Sequence, residues 1–141
     1  MSKPTPSDLL MQLVRTQARI TKRLDQYLSA QGISLTEYQV LQTLASAPDH
    51  QMRRIDLAEA VNLSASGVTR LLNPMEKIGL VRKEASPRDA RVSLVALTKA
   101  GSRTLAESRS RVEQCADAVL QPLDAAQRGE LLALTAALGP S

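Results

Sequence analysis

Four polar side chains in the middle of the chain have the types and the spacing of a binding surface. Thr69, Arg70 and Asn73 follow Ser66 by three, four and seven residues, so a helix would place all four on one face. Hydroxyl, amide and guanidinium groups form hydrogen bonds with the base edges and phosphates of duplex DNA. A solvated helix face has a similar composition, so these four residues do not decide the function without their neighbours.

Two arginines further along the chain lie in a segment that predicts the tip of a β-hairpin. Extended patterns at residues 80–83 and 92–97 flank the polar segment 84–91, which contains Arg88 and Arg91. An arginine at such a tip can enter the minor groove, where narrow A·T tracts concentrate negative potential. An ordinary hairpin loop is the alternative interpretation.

The elements that must hold these residues are two helices, joined by a tight turn and followed by the hairpin. The first helix is predicted over 55–61, the turn is Asn62 and Leu63, and Ser64 caps the second helix, which ends at Gly79. This succession favours a winged helix-turn-helix, whose second helix enters the major groove. The predicted DNA-binding residues are polar or basic: Ser64, Ser66, Thr69, Arg70, Asn73, Lys77, Arg82, Arg88 and Arg91.

The other side of the second helix is predicted to pack into a core. Its apolar residues recur at helical spacing and comprise Val68, Leu71, Leu72, Met75 and Ile78. Pro74 lies within this helix and removes the hydrogen bond to the Arg70 carbonyl. We therefore expect a kink in the last turn, which would change the position of Lys77.

Long helices are predicted on both sides of this central part. An apolar stripe runs over 8–30, a capping box opens the next helix at Ser34, and further helices begin at Thr98 and Asp124. A chain of this length cannot bury all of these stripes in one lobe, so we predict a homodimer. The expected fold is mainly α with a small β-hairpin, in a single domain over 1–141. Its dimerisation helices would be 8–32 and 98–139, and its DNA-binding lobe 34–97.

The positive charge of the chain is concentrated in the same central part. Residues 53–99 hold nine Lys or Arg against five Asp or Glu, an excess of four that equals the net charge of the whole chain. This segment would attract a polyanion such as DNA. So small an excess also fits an ordinary solvated surface, and charge alone leaves both interpretations open.

At several of these positions the chain resembles the multiple-antibiotic-resistance regulator (MarR) family. The matching segments are residues 55–61, 63–72, 76–81, 89–91 and 97–101. The more specific part is Asp89 and Arg91 followed by Leu97, Thr98 and Gly101, whereas the helix-turn-helix alone resembles that of many regulators. The likeness covers essentially the whole chain, because the long flanking helices also fit.

The resemblance implies a transcription regulator, a repressor that binds a palindromic operator as a homodimer. Its recognition helix would be 64–78, its wing 82–95, and its dimer would form from the first helix and the last two. The resemblance also implies release of the DNA when a small aromatic or lipophilic anion binds between the dimer helices and the DNA-binding lobe. The pocket is predicted where the first, second and fifth helices meet, with Arg15 or Tyr38 orienting the anion; a surface arginine and a helix-start tyrosine are the plainer alternative.

The remaining reactive side chains do not indicate catalysis. The single cysteine, Cys115, and the single histidine, His50, provide neither a disulfide nor a zinc site, and no nucleophile with a base is recognisable. We expect no enzyme activity, cofactor or metal, and a buried, inert Cys115. The absence of a signal peptide or a long apolar segment predicts a cytoplasmic protein. Two alternatives remain, a dimeric protein-interaction module without operator specificity and a cysteine-based redox-sensing regulator.

Overall fold

The structure is a computed structural model that describes residues 2–139. This part of the chain is mainly helical, with a small antiparallel sheet, as the sequence predicts. Its elements in chain order are α1 (Pro6–Leu28), α2 (Leu35–Ser46), β1 (Gln51–Arg53), α3 (Arg54–Ala60), α4 (Ala65–Lys77), β2 (Val81–Ala85), β3 (Ser93–Leu97), α5 (Lys99–Leu120) and α6 (Ala125–Ala137). Short 3-10 turns, Ser29–Gln31 and Pro48–His50, follow α1 and α2.

The helices begin where the sequence places their caps. Ser34 and Asp124 form capping boxes with the residues three positions later, and the Ser64 and Thr98 side chains accept hydrogen bonds from backbone N–H groups of α4 and α5. Arg53, before α3, provides no capping side chain. Local hydrogen bonding therefore fixes most helix starts.

The sheet contains one strand more than the predicted hairpin. β3 lies in the centre, paired with β2 on one side and with β1 on the other. Val95 of β3 is opposite both Lys83 of β2 and Met52 of β1. β1 is three residues long, too short for an alternating pattern to be recognised, and its partner strand lies about 40 residues away in sequence. Its pairing anchors the start of α3 to the base of the hairpin.

The core lies where α2 packs against α3, β3 and α5. Val40, Leu41 and Leu44 of α2 are fully buried, with Leu57 of α3 and Val95 of β3. Aliphatic side chains of α4 and α5 complete the same cluster: Val68, Leu72, Met75 and Leu105. Cys115 is also buried, as predicted, at 1% exposure.

The predicted burial of Ile78 is wrong. Its side chain is 62% exposed, because α4 has ended and the backbone at Ile78 has left helical geometry (φ −90°, ψ 3°). Gly79 follows in the left-handed conformation, and the Leu80 N–H donates to the Met75 carbonyl. This is a Schellman turn, which places Leu80, rather than Ile78, in the core.

The outer helices leave much of their apolar surface uncovered. Leu132, Leu134 and Leu138 are 64% to 72% exposed, and no residue described in α6 is buried. Near the start of α1, Leu9 and Leu10 are similarly exposed. Among the residues that the structure describes, no helix combines the length and the apolar character needed to cross a membrane.

Candidate nucleic-acid interface

Helix α4 has one buried face and one exposed polar face. Val68, Leu72 and Met75 point into the core, while Ser66 and Arg70 are exposed. This division follows from the helical spacing of the sequence. Within residues 2–139, Arg70 makes no ion pair and no side-chain hydrogen bond, so its guanidinium is free to bind an external acceptor.

The start of α4 is polar and carries the positive end of the helix dipole. Ser64 Oγ accepts a hydrogen bond from the Gly67 N–H at 3.0 Å and lies 3.2 Å from Ser66 Oγ. The remaining N–H groups of the first turn point along the helix axis, which is the geometry that binds phosphate oxygens. Ser64 therefore acts first as a cap, and Ser66 is the more available hydroxyl.

The Thr69 side chain of α4 bonds to α3, rather than being free on the outer face. Its Oγ1 donates to the Ala65 carbonyl at 3.0 Å and accepts from Arg54 Nη1 at 2.8 Å. The hydroxyl hydrogen is already used, so the side chain links Arg54 to the recognition helix. Arg54 was not among the predicted site residues. The only sequence feature that points to it is weak: two consecutive arginines at the start of a short helix.

The guanidinium of Arg54 is incompletely satisfied. Its Nε is buried and has no hydrogen-bond partner among the described residues. The bond from Nη1 to Thr69 therefore orients a charged group whose other donors can serve a ligand. Its position at the start of α3 places it beside the first turns of α4.

Asn73 and Lys77 occupy the second half of the same helix. Asn73 Oδ1 accepts from Lys83 Nζ at 3.2 Å, and Glu76 forms an ion pair with the same ammonium at 3.3 Å. Lys83 of β2 thus joins the wing to α4, and its role is not recognisable from the sequence. Lys77 is exposed in the last turn, after Pro74, which α4 accommodates without ending.

The wing carries three predicted arginines in different settings. Arg82 forms an ion pair with Glu84 along β2, so its charge is partly neutralised. Arg88 is exposed at the tip. Arg91 forms two side-chain hydrogen bonds with Asp89, and these bonds lower the pKa of the Asp89 carboxyl below its ordinary value.

A cavity of about 690 Å³ separates the wing from α3 and the start of α4. Arg53, Arg54 and Arg91 contribute to its wall, together with apolar side chains such as Ile55 and Val68. The fold thus brings the wing arginine to the same concave surface as the basic start of α3. The sequence separates these residues by almost 40 positions.

The sequence of this chain is similar to those of known proteins. The model of the MarR family matches residues 33–93, from just before α2 to the start of β3. The HTH-type transcriptional regulator PrsX of Escherichia coli is 31% identical over 99 residues, which are 70% of this chain and 60% of that protein. The chain belongs to the MarR family. It spans about 60% of the length of the curated relative PrsX.

Two further proteins are similar to this MarR-family chain over a larger part of its length. The transcriptional repressor MprA of Escherichia coli is 27% identical over 119 residues, which cover 84% of this chain and 68% of that protein. A MarR family transcriptional regulator from Streptomyces coelicolor, solved in complex with DNA, is 26% identical with a TM-score of 0.81. The alignment covers 97% of this chain and 94% of that structure. The winged-helix fold is therefore shared along almost the entire chain.

The two residues predicted to orient a ligand lie apart from this concave surface. Arg15 is exposed on α1, whereas Tyr38 is only 6% exposed and belongs to the core beside Ile33. The burial of Tyr38 fits the plainer alternative, a tyrosine that packs at a helix start. Neither residue lines the cavity between α3 and the wing. The ligand site remains a prediction.

Proposed function

We propose that this MarR-family chain is a DNA-binding transcriptional regulator, a repressor that holds a palindromic operator as a homodimer. The observation that carries the proposal is the unpaired, exposed Arg70 on a helix whose opposite face is fixed in the core. A guanidinium in this position can form two parallel hydrogen bonds with a guanine edge in the major groove. The names of the relatives, a transcriptional repressor and a regulator solved with DNA, support the same function.

The rest of the basic surface would position the duplex. The N-terminal turn of α4 and the arginines at the start of α3 can bind phosphates on either side of the major groove. Arg88 and Arg91 extend from the wing toward the adjacent minor groove or its phosphates. The segment 53–99 carries the net positive charge of the chain, so these contacts would be salt-dependent.

The homodimer is supported by the uncovered apolar faces of α1 and α6. Leucines of α6 that are up to 72% exposed would be costly in water, at about 25 cal/mol per Å² of apolar surface. A two-fold axis through these helices would present two α4 helices on one side of the dimer. The operator would then be an inverted repeat, with half-site centres about 10 base pairs apart.

We further propose that a small aromatic or lipophilic anion releases the DNA. Arg15 is exposed on α1, close in sequence to the uncovered Met11 and Val14, so a cationic group lies next to an apolar surface. Such a combination suits an amphiphilic anion. In a dimer, the partner subunit would supply the remaining wall.

The decisive experiment is selection of bound sequences from a random duplex pool at stated salt concentrations. We expect an enriched inverted repeat whose affinity exceeds that of scrambled duplex by at least about a thousandfold. If the selection enriches no sequence, this proposal is overturned, and the protein-interaction module becomes the favoured function. A matched selection with Arg70→Ala should lose the preference at one position in each half-site.

A further inference from the structure

We propose that Thr98 is a positioning residue that sets the angle between the recognition helix α4 and the long helix α5. Through this angle it determines which half-site spacing the dimer accepts. The inference rests on the proposed function, since it concerns how two recognition helices are held relative to each other. Thr98 is not among the residues proposed to contact DNA.

Several interactions converge on Thr98 at the junction of the two helices. Its Oγ1 lies within hydrogen-bonding distance of the Gly79 carbonyl and 3.0 Å from the Leu80 carbonyl, so its one hydrogen is shared between them. The same oxygen accepts from the Gly101 N–H at 3.0 Å, and the Thr98 N–H donates to the Leu80 carbonyl at 3.2 Å. One side chain thus caps α5 and ties it to the turn that ends α4.

Gly101 allows the two helix ends to come this close. A Cβ on Gly101 would lie 2.1 Å from the Leu80 carbonyl oxygen, a distance that no side chain can occupy. The first turn of α5 therefore rests directly on the backbone of the Schellman turn. Because that turn is bonded to Met75 and Glu76 of α4, its orientation is fixed to the recognition helix.

The junction at Thr98 ties the end of α4 to the start of α5, in addition to the core that both helices share. α4 packs against α3 and β2, whereas α5 packs mainly against α1 and α2 and leads into α6. The apolar faces proposed for the dimer lie on α1 and α6. A change of angle at Thr98 therefore moves α4 relative to the dimer axis.

The length of α5 amplifies small rotations. Its 22 residues span about 33 Å at 1.5 Å per residue. A rotation of about 5° at one end displaces the other by about 3 Å, close to the rise of one base pair, roughly 3.4 Å. The Thr98 hydroxyl, whose one hydrogen is shared between the Gly79 and Leu80 carbonyls, restricts this rotation and would therefore sharpen the preference for one spacing.

Thr98→Asp and Thr98→Asn form an isosteric pair that separates capping from the tie to α4. Either side chain can accept from the Gly101 N–H, but only the amide can donate to the Gly79 and Leu80 carbonyls. Affinity would be measured on duplexes that carry the selected half-sites at stepped spacings around the optimum. Thermal unfolding and sedimentation would establish that each variant is folded and dimeric.

For Thr98→Asp we expect the ratio of affinities at the best and the neighbouring spacings to fall by roughly two- to tenfold. Thr98→Asn and Thr98→Ser should keep the wild-type ratio. A folded, dimeric Thr98→Asp with the wild-type ratio would overturn the inference. If Thr98→Asp does not fold, Thr98→Ala is compared with Thr98→Ser: alanine removes the tie and the cap together and should lower the ratio, whereas serine keeps both. A folded, dimeric Thr98→Ala with the wild-type ratio would likewise overturn the inference.

A second measurement does not require DNA. Spin labels on Lys77→Cys, with Cys115→Ala to remove the native thiol, report the distance between the two α4 helices of a dimer. We expect Thr98→Asp to broaden this distance distribution and Thr98→Asn to leave it narrow; an equally narrow distribution in both would refute the inference. A wild type with a narrow distribution but no preferred inverted repeat would instead count against the proposed function.

Discussion

Asp89 holds the Arg91 side chain through both carboxylate oxygens. Arg91 Nε lies 3.1 Å from Oδ1 and Nη2 lies 3.2 Å from Oδ2, while the Arg91 N–H donates to Oδ1 at 3.0 Å. The arginine side chain is nevertheless 91% exposed, so the pair orients the guanidinium without covering it. Asp89 is therefore the residue that directs the wing arginine, provided that it stays ionised.

The first prediction concerns the protonation of Asp89. Side-chain and backbone hydrogen bonds from Arg91 lower its pKa below the ordinary value of 3.8. The contribution of the pair is therefore present above that value and is lost as the pH falls through the lowered pKa. Carboxyl NMR titration should show a low midpoint that rises in Arg91→Ala. Arg88→Ala is the control and should leave it unchanged; an unchanged midpoint in Arg91→Ala would show that the pair does not form.

The second prediction separates base reading from general attraction. Arg70→Ala should cost about 1–3 kcal/mol on the operator and relax the sequence preference at one position in each half-site. Arg91→Ala should weaken binding to operator and scrambled duplex more evenly. It should also reduce the slope of log affinity against log salt concentration by about one per contact. Titrations at several salt concentrations distinguish the two effects. Arg103→Ala, an exposed arginine of α5, is the control, and wild-type affinity from both test variants would refute this docking mode.

The third prediction tests the link between Thr69 and Arg54. Thr69→Val keeps the shape of the side chain but leaves the half-buried guanidinium without its acceptor. The free energy of unfolding should fall by about 1–3 kcal/mol, as for a buried donor that loses its partner. Urea denaturation measures this loss. Thr69→Ser retains the hydroxyl and should stay within about 0.5 kcal/mol of wild type. A loss in Thr69→Ser with none in Thr69→Val would show that the methyl group matters and the bond to Arg54 does not.

The fourth prediction concerns assembly. Leu132→Glu places a charge on the exposed apolar face of α6 and should convert the dimer to monomers at micromolar concentration, because the charge would be buried in the interface. Sedimentation velocity measures the change. Ile78→Glu makes the same kind of replacement at a similarly exposed position of the DNA-binding lobe and should remain dimeric. A wild type that is monomeric at these concentrations contradicts the proposal.

The fifth prediction addresses the effector. A panel of aromatic carboxylic acids should contain members that raise the melting temperature and weaken operator binding, and Arg15→Ala should abolish both effects. Arg19→Ala, one turn further along the same exposed helix, is the control. A panel with no thermal shift and no effect on DNA binding removes the ligand site from consideration.

Much of the architecture was predictable because its signals are local. The caps at Ser34, Ser64 and Asp124 are set by hydrogen bonds that span three residues, and the structure has them where the sequence places them. The inward face of α4 follows from helical periodicity at Val68, Leu72 and Met75. The pattern failed at Ile78 because periodicity applies only while the helix continues.

The candidate site was predictable in outline but not in detail. Arg70 and Arg88 are exposed as expected, whereas Thr69 bonds to Arg54, and Tyr38 is enclosed in the core. These placements depend on how α3, α4 and α2 pack, and no spacing along the chain encodes that. Lys83 was missed for the same reason, since its partners lie on another element.

The sequence by itself determined the order of helices and hairpin, the caps that start them and the charge of the central segment. These features depend on neighbours within a few residues, where hydrogen-bond geometry and side-chain periodicity leave few alternatives. Only the tertiary structure decided that β1 joins the sheet, that Arg54 reaches Thr69 and that Gly101 lies against the Leu80 carbonyl. Each of these contacts joins residues that are 15 or more positions apart, or depends on a backbone approach that side-chain patterns do not record. Their formation depends on the packing of the whole core, which is a property of the folded chain and not of any single segment.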